Sequence, residues 1–177
     1  MESLEKSLQA EIFVEGANTF AILDGASVPG LLEKLDQWQP EYVCLYRGEL
    51  KPDVAEVAPY LVQLEPGTAI TEWILSDGWG NHWGIFAITE GDLPTVRQHL
   101  RRLLTAYDEN GKPLLFRFYD PRVMRVYLPT CNAMELGDIF GPVAIYLLED
   151  DSSRAALHFR SVDGKLINQQ QTLAERD

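Results

Sequence analysis

The stretch from Leu114 to Pro129, which reads LLFRFYDPRVMRVYLP, is expected to be the feature around which the fold is organised. Its aliphatic and aromatic start predicts a β-strand, although Arg117 places a cation within it. Asp120 then offers an N-cap and Pro121 a first helical position, so a helix that ends at Pro129 is expected. A strand that carries a cation and leads directly into a capped helix places charges where the apolar core meets water.

The Asp-Pro-Arg corner of this stretch has two interpretations. In the functional one, Arg122 and Arg125 lie about one helical turn apart and present a cationic patch to a carboxylate or carbonyl of a partner. In the structural one, Asp120 caps its own helix while Arg117 and Arg122 pair with acidic neighbours inside the fold. The structural interpretation is favoured, because a cation within a strand and an aspartate before proline are more often architectural.

The bulk properties of the chain exclude several classes of protein. Its 177 residues suit a single domain, expected to span residues 1–177. A formal net charge of −12 argues against nucleic-acid or membrane-surface binding, which needs a basic surface. There is neither a signal peptide nor an apolar run long enough for a membrane helix, so a cytoplasmic location is expected. Cys44 and Cys131 lie outside any zinc-binding pattern, and no metal site is predicted.

The order of apolar runs and turn signals predicts an α/β fold, with a mixed β-sheet flanked by helices and ending in an antiparallel hairpin. Residues 18–46 indicate a strand, a helix and a second strand, a unit that favours parallel pairing through a right-handed crossover. The stretch that begins at Leu114 is expected to be the central strand. Asp163-Gly164 predicts the hairpin turn, and the polar tail from Asn168 onward is expected to fray.

A second distinctive segment is the glycine-rich loop of residues 77–84, DGWGNHWG. It carries Trp79, His82 and Trp83. Tryptophan on such a loop offers a large contact area and an N–H donor, the usual composition of an interface hot spot. The alternative is that both indoles fold back as a lid over the sheet. The two interpretations carry equal weight.

The sequence lacks the common catalytic motifs: it has no P-loop, no GxGxxG and no GxSxG nucleophile elbow. His82, His99 and His158 have no metal-ligand spacing. No catalytic residue and no cofactor are therefore predicted. A competing hypothesis is a small hydrolase or transferase in which Asp120, Arg122 and His82 converge in a cleft at the strand ends. A third is a structural fragment of a larger assembly.

Three stretches together carry a resemblance to a known family. They are Ala21–Ala26 (AILDGA), Pro59–Leu64 (PYLVQL), and a third that runs from His99–Leu103 through Phe116–Val123 to Leu128-Pro129 and Phe140–Pro142. The chain resembles the adaptor/chaperone family of bacterial type VI secretion, catalogued as domain of unknown function 4123. The similarity spans about residues 18–148. The resemblance is specific because the string RFYDPR follows a helix with a basic face at the expected distance.

The resemblance implies a binding function and no catalysis. Members of this family bind a toxic effector in the cytoplasm and help to mount it on the spike protein at the tip of the secretion tube. The implied partners are a secreted toxin effector and that spike protein, with neither nucleic acid nor membrane. Many relatives continue into a helical C-terminal part, whereas this sequence ends about thirty residues after Leu148. The chain is therefore expected to be either a compact member or a fragment.

The candidate partner-binding residues belong to the glycine-rich loop of residues 77–84 or to the helix after Asp120. They are Trp79, His82, Trp83, Arg122, Arg125 and Tyr127. The residues assigned a structural role are Arg117, Asp120 and Pro121.

Overall fold

The computed structural model describes residues 3–175. Its α-helices are α1 (Leu4–Ile12), α2 (Leu31–Trp38), α3 (Pro52–Val57), α4 (Ala69–Trp73), α5 (Leu93–Leu103), α6 (Pro121–Tyr127) and α7 (Ala133–Phe140). Its strands are β1 (Asn18–Asp24), β2 (Tyr42–Cys44), β3 (Pro59–Leu64), β4 (Gly84–Thr89), β5 (Thr105–Tyr107), β6 (Pro113–Leu115), β7 (Ile145–Glu149), β8 (Ala155–Val162) and β9 (Lys165–Thr172). A π-helical turn, Ile74–Gly78, extends α4, and a 3₁₀ turn, Leu128–Thr130, follows α6. No helix within residues 3–175 combines the length and apolar character needed to cross a membrane.

The described strands form one seven-stranded sheet in the order β2-β3-β1-β4-β7-β8-β9, with β5 and β6 in a separate ribbon. All neighbouring strands in the large sheet are antiparallel. The predicted α/β class with a C-terminal antiparallel hairpin is confirmed, since β8 and β9 pair along their whole length. Asp163 and Gly164 join them with φ of 49° and 71°, the positive angles that a tight hairpin turn needs.

The predicted parallel pairing of the first two strands is wrong. The strand–helix–strand unit β1–α2–β2 is present, but β3 lies between its two strands and is antiparallel to both. Tyr60 of β3 lies opposite Leu23 on one side and Cys44 on the other. The short segment that contains α3 reverses the chain direction after β2, so β3 can fill the space that a parallel neighbour would occupy.

Helices cover both faces of the sheet, and side chains alternate between two cores. Ala21 and Leu23 of β1 pack in the core formed with α1, α2 and α4. Phe20 and Ile22 pack in the core formed with α5, α6 and α7. Because successive strand residues point to opposite faces, a strand covered on both sides is apolar throughout. This explains why β1 reads as a continuous apolar run although the sheet is antiparallel.

The central strand predicted from Leu114 onward is also wrong. Only Pro113–Leu115 forms a strand, and it pairs with β5 outside the large sheet. The chain then turns, with Asp120 N–H donating to the carbonyl of Arg117 at 3.1 Å. Phe118 and Tyr119 are buried in that turn, in the core beneath α5 and α6. Apolar composition alone does not distinguish a strand from an aromatic loop that fills the core.

The polar tail does not fray at Asn168, because β9 continues to Thr172 opposite Ala155. The glutamines at positions 169–171 are exposed, so backbone hydrogen bonds rather than side-chain burial hold this segment.

Candidate functional site

Charged side chains collect at one edge of the large sheet, where β1 and β7 end and β4 begins. Both β1 and β7 are antiparallel to β4, so Asp24, Glu149 and the loop before Gly84 lie at the same edge. Arg125 of α6 reaches this edge, because its guanidinium donates to the carbonyl of Glu149 at 2.7 Å. We refer to the following residues as the charged edge: Asp24, His82, Arg117, Asp120, Arg122, Arg125 and Glu149.

Three carboxylates of the charged edge are buried: Asp24 is 2% exposed, Asp120 is 4% and Glu149 is 3%. A buried charge is costly unless an opposite charge and hydrogen bonds compensate it. Asp24 and Asp120 each have an arginine and further hydrogen bonds, and Glu149 accepts from the N–H of Gly80 and contacts His82.

Asp24 is held by its own turn and by a distant arginine. Its side chain accepts from the N–H of Ala26 at 3.1 Å and from the hydroxyl of Ser27 at 2.9 Å, and it forms an ion pair with Arg117. Burial alone would lower the pKa of the Arg117 guanidinium, but the hydrogen bond and charge of Asp24 outweigh it and raise that pKa. Arg117 thus joins the segment before α6 to the end of β1.

Asp120 caps α6, as the sequence predicted. Its carboxylate accepts from the N–H of Arg122 at 2.9 Å and from the guanidinium of the same residue at 3.0 and 2.8 Å. Burial alone would raise the pKa of Asp120, but the hydrogen bonds and charge of Arg122, with the charge of Arg117, lower it. Pro121 occupies the first helical position. The structural interpretation of the Asp-Pro-Arg corner is therefore confirmed.

Glu149 connects the glycine-rich loop of residues 77–84 to the sheet. Its carboxylate accepts from the N–H of Gly80 at 2.5 Å and contacts Nδ1 of His82. His82 has a φ of 57°, a left-handed conformation that such fixed contacts help to hold. Arg125 binds the Glu149 carbonyl and also pairs with Asp151 at 2.8 Å. One acidic residue at the end of β7 therefore connects the loop, the sheet and α6.

The two tryptophans of this loop are buried, not exposed. Trp79 stacks on Phe86 with ring centroids 6.4 Å apart, and its indole N–H donates to the carbonyl of Ser153 at 2.9 Å. Trp83 packs against Trp73 at 4.7 Å. The interpretation in which the indoles fold back over the sheet is the one that the structure supports. The expected contact surface of Trp79 and Trp83 is corrected accordingly, because buried rings offer a partner no area in this conformation.

The other candidate partner-binding residues differ in access to solvent. The side chain of Arg122 is 53% exposed, whereas that of Arg125 is 12% exposed. Tyr127 is partly buried against Phe116, with ring centroids 4.7 Å apart, and burial raises its pKa to about 12. His82 is partly exposed beside Glu149. Arg122 therefore remains the most accessible of the predicted contacts, and Arg125 is mainly a connection between α6 and β7.

The structural roles of Asp24 and Glu149 are not predicted from the sequence. The signal was present in both, since each acidic residue directly follows a run of apolar strand residues. An acid at the last position of a buried strand needs partners at the sheet edge. The sequence does not identify the partner of Asp24, because Arg117 lies 93 positions away.

The residues of the enzyme hypothesis are each engaged with another group. His82 contacts Glu149, and Asp120 binds Arg122. Within residues 3–175, His82 and Asp120 form no direct hydrogen bond or ion pair with each other. The cavity beside Glu149 has a volume of about 10 Å³, the space of a single water.

Replacing Asp120 with alanine is expected to lower the free energy of unfolding by about 1–2 kcal/mol, the usual cost of a lost N-cap. Asp120 has a lowered pKa in the folded state, so its contribution is present above the unfolded value of about 3.9 and is lost as the pH falls through the folded value. Urea unfolding at neutral pH and at a pH below the folded pKa of Asp120 measures both effects. The same loss at both pH values would contradict the assignment.

A family model described as Domain of unknown function (DUF4123) matches residues 19–138, well over half of the chain. The chain belongs to the DUF4123 family. Neither a search of curated proteins nor a search of solved structures gives a match. The DUF4123 match begins in β1 and ends in α7, so it includes Asp24, Arg117 and Asp120, while Glu149 and the C-terminal hairpin lie beyond it.

The segments that carry the DUF4123 resemblance meet at the charged edge. Asp24 of the first lies opposite Pro59 of the second in the register of β1 and β3. Arg117 of the third binds Asp24. Gly25 allows the close approach, since a Cβ there would lie 2.5 Å from the carbonyl oxygen of Ala58. Segments far apart in sequence are thus joined by one carboxylate and one backbone contact.

Proposed function

We propose that this DUF4123 protein is a cytoplasmic adaptor that binds a secreted toxin effector of a type VI secretion system and helps to load it onto the spike protein. The proposal combines the family membership with the resemblance of its motifs to adaptor/chaperone proteins. On this proposal the protein acts by binding and release.

The proposal is supported by the structural role of the residues that form the family motifs. Asp24 and Arg117 compensate each other, and Asp120 caps α6 and binds Arg122. These motif residues therefore hold the end of β1 to the segment that begins α6. A shared scaffold that leaves its surface free to vary suits proteins that bind different partners.

The outer face of α6 is the proposed contact surface. Arg122 and Val126 are four residues apart, so they lie on the same face of the helix, and both are exposed. An exposed apolar side chain beside a guanidinium offers burial together with directional hydrogen bonds. Tyr127 and His82, both partly exposed, are the further candidates.

Val126→Glu is expected to weaken partner capture at least about tenfold, because it places a charge where apolar contact is proposed. The tagged protein is co-expressed with candidate type VI toxin effectors and, separately, with candidate spike proteins encoded in the same genome, and the recovered partner is quantified. Val162→Glu is the matched control, because Val162 is also exposed but lies at the end of β8, outside the proposed surface. If the folded wild type recovers neither partner, the adaptor function is wrong.

The enzyme alternative has one observation in its favour. His82 contacts the buried carboxylate of Glu149, the arrangement that orients a histidine for acid–base catalysis. The binding function is preferred because the family membership and the motif resemblance support it, whereas this one contact alone supports the enzyme alternative. Hydrolysis of p-nitrophenyl acetate or p-nitrophenyl phosphate that disappears in folded His82→Ala would reverse this preference.

A further inference from the structure

A second surface, which shares no lining residue with the charged edge, lies between α5, the end of β2 and the β5–β6 ribbon. It is a groove with a volume of about 770 Å³. We call it the arginine groove and define it by six of its lining residues: Arg47, Arg101, Arg102, Tyr107, Leu114 and Leu115.

The charge of the groove is opposite to that of the chain. Its walls contain three arginines and no carboxylate, in a protein whose formal net charge is −12. Four other cavities of residues 3–175 each have at least one carboxylate in their walls. Arg47, Arg101 and Arg102 form no ion pair with any residue that the structure describes. The positive charge of the groove is therefore uncompensated within that part of the chain.

Arg101 is held in position without being neutralised. Its guanidinium donates to the carbonyl of Leu45 at 3.2 Å and to that of Cys44 at 2.9 Å. Burial lowers the pKa of Arg101, and the like charges of Arg97 and Arg47 lower it further. A fixed arginine among like charges favours the approach of an anionic group.

The opposite wall of the groove is apolar and open to solvent. Tyr107 is 69% exposed, Leu114 is 47% and Leu115 is 55%. All three belong to the β5–β6 ribbon, which lies outside the large sheet and so lacks its helical cover. Large apolar side chains grouped beside a cavity mark an interaction surface more clearly than scattered ones do.

We infer that the arginine groove binds an acidic segment of a partner protein that also carries large apolar side chains. Carboxylates of the segment would pair with Arg47, Arg101 and Arg102, while its apolar side chains would cover the ribbon. Charge complementarity selects an acidic partner, and the apolar wall favours a polypeptide over a nucleic acid. The inference rests on the proposed adaptor function and adds to it a second surface, separate from α6, which allows two partners to be held together.

The test uses the full chain and a short fluorescein-labelled peptide rich in glutamate and leucine, followed by fluorescence anisotropy. Arg102→Glu, at an exposed position, is expected to weaken binding at least about tenfold. Leu115→Ser should weaken it as well, and added salt should weaken binding to the wild type. Arg160→Glu is the matched control: it makes the same charge change at an exposed site on β8 and should leave the affinity within about twofold.

Several outcomes would overturn the inference. Equal affinity for a peptide with lysine in place of glutamate would show that the arginines do not select an acidic segment. Equal affinity for a peptide with serine in place of leucine would show that the apolar wall does not contribute to binding. Tighter binding of a single-stranded oligonucleotide, lost in Arg102→Glu, would make the groove a polyanion site. Self-association in sedimentation that Leu115→Ser abolishes would make a second copy the occupant.

The two proposals can fail separately. If the toxin co-purifies but Arg102→Glu affects neither its recovery nor peptide binding, the groove inference fails and the adaptor function stands. If the peptide binds the groove but neither toxin nor spike protein is captured, the adaptor function fails and the groove remains a binding surface.

Discussion

Replacing Phe118 with alanine is expected to lower the free energy of unfolding by about 4 kcal/mol, the largest single effect we predict. Phe118 is 0% exposed, in the turn that the sequence suggested as a strand. Its ring packs beside Tyr119 and Phe116, with centroids 5.5 and 6.1 Å apart. Removing the ring would leave a cavity under α5 and α6, and equilibrium urea unfolding measures the cost.

Leu115→Ala provides the comparison within the same stretch. Leu115 lies three residues before Phe118 but is exposed in the β5–β6 ribbon. Its truncation is expected to change the free energy of unfolding by no more than about 0.5 kcal/mol. Comparable losses for the two variants would contradict the division of this stretch into an exposed ribbon and a buried aromatic turn.

Asp24→Ala is expected to lower the free energy of unfolding by about 3 kcal/mol. The substitution removes the acceptor for the Ala26 N–H and the Ser27 hydroxyl and leaves Arg117 without its ion-pair partner. The cost stays below that of a fully buried ion pair, because the Arg117 side chain is partly exposed and can hydrate. Asp24→Asn should cost less, since an amide oxygen can keep one of the turn hydrogen bonds.

A double-mutant cycle isolates the contribution of the Asp24–Arg117 pair. Arg117→Met keeps much of the side-chain volume and removes the charge, and a coupling energy of about 1 kcal/mol with Asp24→Ala is expected. A coupling near zero would show that the turn hydrogen bonds alone explain the importance of Asp24. An unchanged unfolding midpoint in Asp24→Ala would contradict the role of the charged edge as a scaffold.

The features that sequence analysis predicted correctly are stabilised by residues close together in the chain. Asp120 caps α6 by accepting from the N–H of Arg122, two positions later. The turn at Asp163-Gly164 depends on the backbone angles of those two residues alone. Such local interactions can be predicted from the sequence, because the residue types that form them occur at fixed spacing.

The features that sequence analysis missed depend on partners far apart in the chain. The position of β3 between β1 and β2 depends on the packing of the whole sheet, so a local sequence pattern does not predict it. The burial of Trp79 depends on Phe86 and on the carbonyl of Ser153, 74 positions away. The composition of the glycine-rich loop suited an exposed or a buried position equally, so only the fold could decide between them.

The proposed adaptor function is tested most directly by isothermal titration of the purified chain into purified candidate type VI toxin effectors and, separately, into candidate spike proteins encoded in the same genome. The adaptor function predicts saturable binding to at least one of them, weakened at least about tenfold by Val126→Glu and unchanged by Val162→Glu. Absence of binding to both, with the protein folded by circular dichroism and cooperative in unfolding, would contradict it.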